Sequence, residues 1–254
     1  MIQVIKIGGA ALADELWLDR FASAAAVAVP GNVRVLVHGG GPEITALAAH
    51  LGMATQWNNG RRVTTPAALD VTSMVLNGRI NKRIVRTLRA HGVDAFGFSG
   101  EDGAVVSGRL TERGALGRVG DVTAVRSELL HQLIGAGLLP VLSPVSLGED
   151  GQALNINADE VATSVAAALP ADELLFLTDV EGVRVAGVRA ELLSASEAQQ
   201  LIADEVATGG MAVKLRAAVL ALQAGVARVR IGPLEMLWDV DAGTALSTEE
   251  MAWK

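Results

Sequence analysis

Residues Val33-Arg-Val-Leu-Val-His-Gly-Gly-Gly-Pro-Glu43 constrain the fold more than any other stretch of the chain. A run of β-branched and apolar residues reads as a buried strand, three glycines close it, and Pro42 opens a helix. Proline suits a first helical turn because the N–H it lacks would be unpaired there. Consecutive glycines cost backbone entropy, so their missing side chains have to serve something. Two readings are open. Either bare N–H groups at a helix N-terminus let an anion approach closely, or a tight turn needs positive φ.

The same strand–glycine–helix unit begins the chain. Residues 2–7 read as a strand closed by Gly8-Gly9, and helical character follows to Ala28, with Asp14 as a cap and Leu16, Phe21 and Ala24 on one face. The helix after Gly41 runs to about His50. Asn58-Asn-Gly60 signals a turn, with 61–64 as the return arm of a hairpin. Thr65-Pro66 opens a helix to about Leu76, and a second helix covers 79–91. A strand at 95–99 precedes a small antiparallel insertion at 104–122. Beyond it come a helix at 126–136, a strand at 138–142, and Leu154-Asn-Ile-Asn-Ala-Asp159 leading into a helix to Leu169. A strand at 173–177, helices at 196–203 and 211–224, and a strand at 228–231 complete the reading.

Strands alternating with helices predict an α/β fold, a three-layer sandwich around a central, mainly parallel sheet. Residues 1–254 read as one domain. Ligands of such sheets sit beyond the carboxyl ends of the strands. The unusual residues fall there: Gly8-Gly9, Gly39 to Gly41, Ser99-Gly100, Ser143, Asn155 to Asp159 and Thr178-Asp179. One shared site is the expectation.

Composition excludes several functions. There is no cysteine, hence no disulfide and no thiolate nucleophile or metal ligand. His38, His50, His91 and His131 are scattered without ligand spacing, so no protein-held metal is expected. The net charge of −7 argues against nucleic acid. No apolar run reaches membrane-spanning length, and the first residues are no signal peptide, so no membrane partner and a cytoplasmic location are expected.

Two lysines stand where phosphate chemistry needs charge, although no Gly-x-x-x-x-Gly-Lys-Ser/Thr loop is present. Lys6 precedes Gly8-Gly9 on the first strand. Lys214 reads as first-turn in the helix after Thr208-Gly-Gly210, a placement that opposes the dipole unless an anion sits there. Asp159 has two open readings, an N-cap or part of the site. Asn155 and Asn157, two apart on an extended segment, point to one face.

Lys6-x-Gly-Gly9, His38-Gly-Gly-Gly-Pro-Glu43, Asn59-Gly-Arg-Arg-Val-Thr64, Ser143-Pro144, Asn155-Ile-Asn-Ala-Asp159, Leu177-Thr-Asp-Val-Glu-Gly-Val183 and Gly210-Met-Ala-Val-Lys214 occur in the order seen in the amino acid kinase family. The resemblance covers nearly the whole chain. Within the family it is to enzymes that use ATP to phosphorylate the γ-carboxylate of N-acetyl-L-glutamate. It implies an acyl amino acid side at roughly 1–170 and a nucleotide side at roughly 171–254. By the matching motifs, Gly40 and Gly41 would contact the γ-carboxylate, and Arg62 and Asn155 the α-carboxylate. Lys6 and Lys214 would stabilise the transferring phosphoryl group, Asp159 would position both, and Gly9 would donate an N–H to the phosphates. Asp179, Val180, Glu181, Gly182, Val183 and Arg184, with Thr208, Gly210 and Met211, would surround the nucleotide, which brings its own Mg2+. The sequence departs from the pattern at Thr45, where many members have Asn, and at Arg61, where an apolar residue is usual. Arg61 thus becomes a second candidate for the α-carboxylate. Arginine-inhibited relatives carry an N-terminal helix that joins dimers into hexamers. The chain starts at its first strand, so a homodimer without arginine feedback is the expectation.

Chemistry fits that resemblance. A glutamate-type carboxyl with a pKa of about 4.3 is already ionised at neutral pH, so no general base is required. The barrier is one anion attacking another, which positioning and charge neutralisation must overcome. Two ammonium groups ~4 Å apart repel by roughly 4 kcal/mol at an effective dielectric of about 20, and a carboxylate between them offsets that. Two rivals stand beside this reading. A kinase for carrier-protein-linked aminoadipate or glutamate would need a basic rim, for which Arg79, Lys82, Arg83, Arg86 and Arg89 are the candidates. A non-catalytic sensor of the same fold would have little need for both lysines and Asp159.

Overall fold

The computed structural model describes residues 1–27, 31–58 and 61–248. The turn read at Asn59-Gly60, and the end of the first helix at Ala28, lie outside them. The strands are β1 Ile2–Ile7, β2 Val33–His38, β3 Trp57–Asn58, β4 Arg61–Arg62, β5 Ala95–Ser99, β6 Val106–Leu110, β7 Val119–Val125 and β8 Leu139–Ser143. They continue with β9 Val145–Gly148, β10 Ala153–Ile156, β11 Glu173–Leu177, β12 Arg184–Val185, β13 Val188–Arg189, β14 Leu192–Ser194, β15 Arg228–Gly232 and β16 Thr244–Ser247. The helices are α1 Gly9–Leu12, α2 Glu15–Ala26, α3 Gly41–His50, α4 Pro66–Ser73, α5 Asn81–Ala90, α6 Ser127–Gly135, α7 Ala158–Ala168, α8 Ala195–Ala203 and α9 Gly209–Gln223.

Eight strands form the central sheet in the order β14-β16-β15-β11-β1-β2-β8-β5, and only the β15–β16 pairing is antiparallel. Neighbouring residues on each strand serve opposite faces. Val4, Val35 and Leu174 pack with Val161 and Val165 of α7 and Leu215 of α9. Ile5, Leu36 and Leu175 pack with Leu18 and Phe21 of α2 and Ile84 and Leu88 of α5. The three-layer α/β architecture expected from the alternation is therefore present. Burying Phe21 or Leu18 stabilises it by about 2 kcal/mol each.

Differences from the sequence reading are local. Asp14 does cap α2, accepting from Leu16 and Trp17 N–H. Leu16, however, is 79% exposed, and the buried stripe is Leu18, Phe21, Ala22 and Ala25. The two helices expected at 65–91 are one continuous helical rod. Its α-helical ends are joined by a π-helical stretch, Met74–Ile80. Asn77, between the two helices as read, is held by the Ser143 hydroxyl and by Glu101, and the helix carries on. The small antiparallel insertion is larger than expected, because β6 and β7 close with β9 and β10 into a four-stranded barrel. Gly108 and Gly120 make room for Leu154 at its centre, since a Cβ on Gly120 would lie 2.8 Å from that side chain.

Candidate active site

The glycine junctions after β1 and β2 meet at the carboxyl ends of those adjacent strands. None of Gly8, Gly9 and Gly39 to Gly41 lies in the left-handed region, so the tight-turn reading of the glycine run fails. Close approach is what requires them. A Cβ on Gly9 would lie 2.9 Å from Gly40 Cα and N and 3.0 Å from Gly41 N, and a Cβ on Gly40 would strike Ile80 and Leu76 of the π-helical stretch. Gly9 and Gly41 are first residues of helices, whose N–H groups have no intrahelical acceptor. Three backbone amides thus gather at one point.

Lys6 shares a face of β1 with Val4, the face covered by α7 and α9. Its ammonium lies 2.8 Å from Asp159 Oδ1, and Lys214 Nζ lies 3.2 Å from Asp159 Oδ2. All three side chains are largely buried. Burial alone would raise the Asp159 carboxyl, but Lys6 and Lys214 outweigh it and hold the group below the usual carboxylate range. Burial, then the neighbouring Lys6, lowers Lys214 from its ordinary value, against the pull of Asp159. Two sequence readings change here. Asn157, not Asp159, is the N-cap of α7, accepting from the Asp159 N–H at 2.8 Å. Asn157 caps its own helix, yet it and Asn155, whose amide donates to Thr64 Oγ1 at 3.0 Å, both line one cavity, as their spacing predicts. Lys214 is the sixth residue of α9, which begins at Gly209, so it sits in the second turn and its conflict with the dipole fades.

Lys6, Asp159, Gly9, Gly39 to Gly41, Arg61, Arg62 and Asn155 line one cavity of about 220 Å3, closed on its apolar side by Ile44, Leu76, Val119, Pro144 and Ile156. Arg62 is buried in its wall. It donates from Nη2 to Thr45 Oγ1 at 2.6 Å and to Gly41 O at 3.1 Å, and from Nη1 to Thr55 Oγ1 at 3.1 Å. Trp57 covers it 4.7 Å from the ring centroid. Arg62 has no carboxylate partner among the described residues, whereas Arg61 is paired with Asp121 and Glu160. Sequence reading missed Trp57, Thr55, Asp121 and Glu160. Thr45 was noticed as a departure, and its position one turn beyond Gly41 gives it the role of holding Arg62.

His38, beside the glycines, is fully buried. Its Nδ1–H donates to Gly39 O at 3.0 Å, and Nε2 accepts from the Asn81 amide at 3.1 Å. Burial, only partly opposed by the Gly39 bond, lowers its pKa to about 4.

The remaining expected residues lie apart from this cavity. Asp179, Val180 and Glu181 are exposed after β11, and Arg184 is exposed on β12, bonded to Glu181 at 3.2 Å. Val183 is different, with its side chain buried in the core and its N–H donated to Thr244 Oγ1 at 2.8 Å, so it offers no side chain to a ligand. Gly182, at φ 150, has no room for a Cβ beside Thr244. Thr208 and Gly210 are exposed at the start of α9, with Met211 half-buried. Among the described residues no His or acidic cluster could hold a metal ion, and no helix is long and apolar enough to cross a membrane.

Comparison with known proteins places this geometry. Residues 1–233 match the model of the amino acid kinase family. An acetylglutamate kinase of Roseiflexus castenholzii is 44% identical over 97% of this chain and 94% of its own. One of Geobacillus stearothermophilus is 43% identical over 90% and 88%. In structure the chain is similar to smu.665 from Streptococcus mutans, with a TM-score of 0.83, 30% identity, and coverage of 98% of this chain and 99% of that one.

Proposed function

The chain belongs to the amino acid kinase family, and we propose from this premise that its cavity binds N-acetyl-L-glutamate for phosphorylation by ATP. The reaction makes N-acetyl-L-glutamyl 5-phosphate, a step of arginine biosynthesis. One observation carries the site assignment: Lys6 and Lys214, from different elements, bracket a single buried carboxylate beside three glycine amides.

In this reading Arg62 and Asn155 hold the α-carboxylate. Arg62 is the better of the two arginines because its charge has no carboxylate partner among the described residues, while that of Arg61 is already spoken for. The amides of Gly40 and Gly41 orient the γ-carboxylate, and that of Gly9 faces the phosphates. An oxygen of the ionised γ-carboxylate forms a bond to the terminal phosphorus of ATP as the bond to the bridging oxygen breaks, and ADP leaves with that electron pair. No proton moves. Lys6 and Lys214 neutralise charge on the transferring group, and Asp159 keeps the two ammonium groups together. Mg2+, entering with the nucleotide, neutralises further phosphate charge. Residues 1–254 act as one domain, with acyl acid on roughly 1–170 and nucleotide on roughly 171–254, over the loops 179–184 and 208–211. Val183 supports the first of these loops from within, since its side chain is buried and its N–H and C=O are taken by Thr244 and Ala190.

A cavity of about 220 Å3 suits an amino-acid-sized ligand, since pockets for drug-sized molecules start at roughly 300 Å3. The carrier-linked rival is not favoured. The relatives it is similar to over most of its length are acetylglutamate kinases, and in the basic stretch Arg79 and Arg83 are drawn onto Glu43 and Arg89 onto Asp94 rather than forming one open rim. A homodimer working in the cytoplasm completes the proposal, supported by the open edge of β5 and its half-exposed Phe96. A hydroxamate assay with ATP, Mg2+ and N-acetyl-L-glutamate tests the activity. Acyl phosphate is expected, and its absence at millimolar substrate would overturn the assignment.

A further inference from the structure

Arg61 and Arg62 are adjacent on β4, so their side chains leave opposite sides of the strand. Arg62 enters the cavity wall, and Arg61 also borders that cavity while its guanidinium is held by other partners. Arg61 reaches three other elements at once. Its Nη1 donates to Asp121 Oδ1 on β7 at 2.7 Å and to Thr111 Oγ1 at 2.9 Å, and its Nη2 lies 3.5 Å from Glu160 Oε2. Glu160 is itself fixed, since Oε1 accepts the Val122 N–H of β7 at 2.8 Å. It also stands next to Asp159, in the first turn of α7.

The hairpin needs such a tie. β3 and β4 are two residues each and pair only with one another. Beyond that ladder, the backbone ties between the hairpin's base and the rest of the chain are the Thr64 N–H to Leu116 O, the Arg118 N–H to Thr64 O, and the Thr64–Gly117 bridge. A two-stranded hairpin with so few anchors is unstable by itself.

We propose that Arg61 is a positioning residue: through Asp121 and Glu160 it latches the β3–β4 hairpin to the barrel and to α7, and so holds Arg62 and Trp57 against the bound acyl amino acid. The inference rests on the substrate reading given above. It also makes use of a residue that departs from the usual apolar one. A guanidinium can span two carboxylates on different elements, which a short apolar side chain cannot.

The test compares Arg61→Leu, Arg61→Lys, Asp121→Asn and Glu160→Gln with the unaltered protein. The latch predicts that Arg61→Leu raises KM for N-acetyl-L-glutamate about tenfold while kcat and KM for ATP stay within about twofold, and that Arg61→Lys recovers part of the loss. Asp121→Asn and Glu160→Gln raise the same KM, and each combined with Arg61→Leu adds little. If Arg61 instead touched the ligand, freeing it from its carboxylates would leave KM unchanged or lower it, and that result overturns the proposal. So does an unchanged KM in Arg61→Leu. Hydrogen exchange at the amides of Arg62, Val63 and Thr64 in the ligand-free protein supplies a readout independent of substrate. Arg61→Leu accelerates exchange there with no change in the urea midpoint. Unaltered exchange refutes the latch even if the protein proves inactive on N-acetyl-L-glutamate, a result that would fall on the substrate reading alone.

Discussion

Protonation of His38 is expected to set much of the acid sensitivity of this fold. The imidazole is fully enclosed, its Nδ1–H spent on Gly39 O and its Nε2 on Asn81. Its folded pKa is about 4, against 6.5 for an ordinary histidine. Between those values the unfolded chain binds a proton that the folded chain refuses, so stability falls as pH falls. The contribution is fully present above about pH 6.5 and is lost as pH drops towards 4. At about 1.36 kcal/mol per pKa unit, the loss between pH 7 and pH 4.5 is roughly 2.5 kcal/mol, a large part of a total of about 5–15 kcal/mol. Asp159, whose folded pKa is also depressed, changes stability in the same direction but at lower pH. A non-titrating variant separates the two. Urea unfolding at several pH values across this range should show a steeper pH dependence for the unaltered protein than for His38→Gln, by roughly 2 kcal/mol overall. Parallel curves would refute the reasoning. Should the variant fail to fold, NMR titration of the His38 ring in the unaltered protein decides the matter. A neutral Nδ1–H tautomer persisting below pH 5 is expected, and protonation near 6.5 would contradict it. Such a histidine is also a poor general base, in keeping with a nucleophile that arrives ionised.

Lys6→Ala should lower kcat by roughly 10²–10³-fold with little change in KM for either substrate, because its charge matters most as the phosphoryl group transfers; initial rates at saturating ATP and acyl amino acid test this. Gly9→Ala places a methyl group against the backbone of Gly40 and Gly41, and turnover should fall at least about 100-fold while the unfolding free energy from urea titration drops by only about 1–3 kcal/mol. Asp159→Asn leaves two buried cations without their shared partner. The already lowered pKa of Lys214 should drop further, and the alkaline limb of the kcat/KM profile should move to lower pH. An alkaline limb unmoved by that change would mean that Lys214 is not the group titrating.

The features legible in the sequence are those with local causes. Gly-Gly and Gly-Gly-Gly-Pro mark the junctions after β1 and β2, because glycine and proline act on the residues where they stand. Lys6 could be placed before Gly8-Gly9 for the same reason. Where pairing is distant in sequence, the reading thinned. β16, which meets β15 in the antiparallel sense, and β9 and β10 of the barrel are short and owe their form to partners elsewhere. Asp159 read as a possible cap for α7, and the folded geometry gives that role to Asn157 instead. The two helices read at 65–76 and 79–91 are one rod, because contacts from Ser143 and Glu101 hold Asn77 within it. The partners of Arg61 lie 50 and more residues away, and no local pattern announces them.

The near-contact of Gly9 with Gly40 and Gly41 means that the floor beneath the reacting groups is main chain alone. A floor of that kind offers no side chain to exchange, so amino-acid replacement can only add bulk to it. Any shift of preference toward a longer or differently acylated acid must therefore come from the walls, where Trp57, Val119, Pro144 and Leu76 present side chains that differ in size. The glycine floor and the choice of acid are in this sense separable, one fixed by peptide geometry and the other open to substitution.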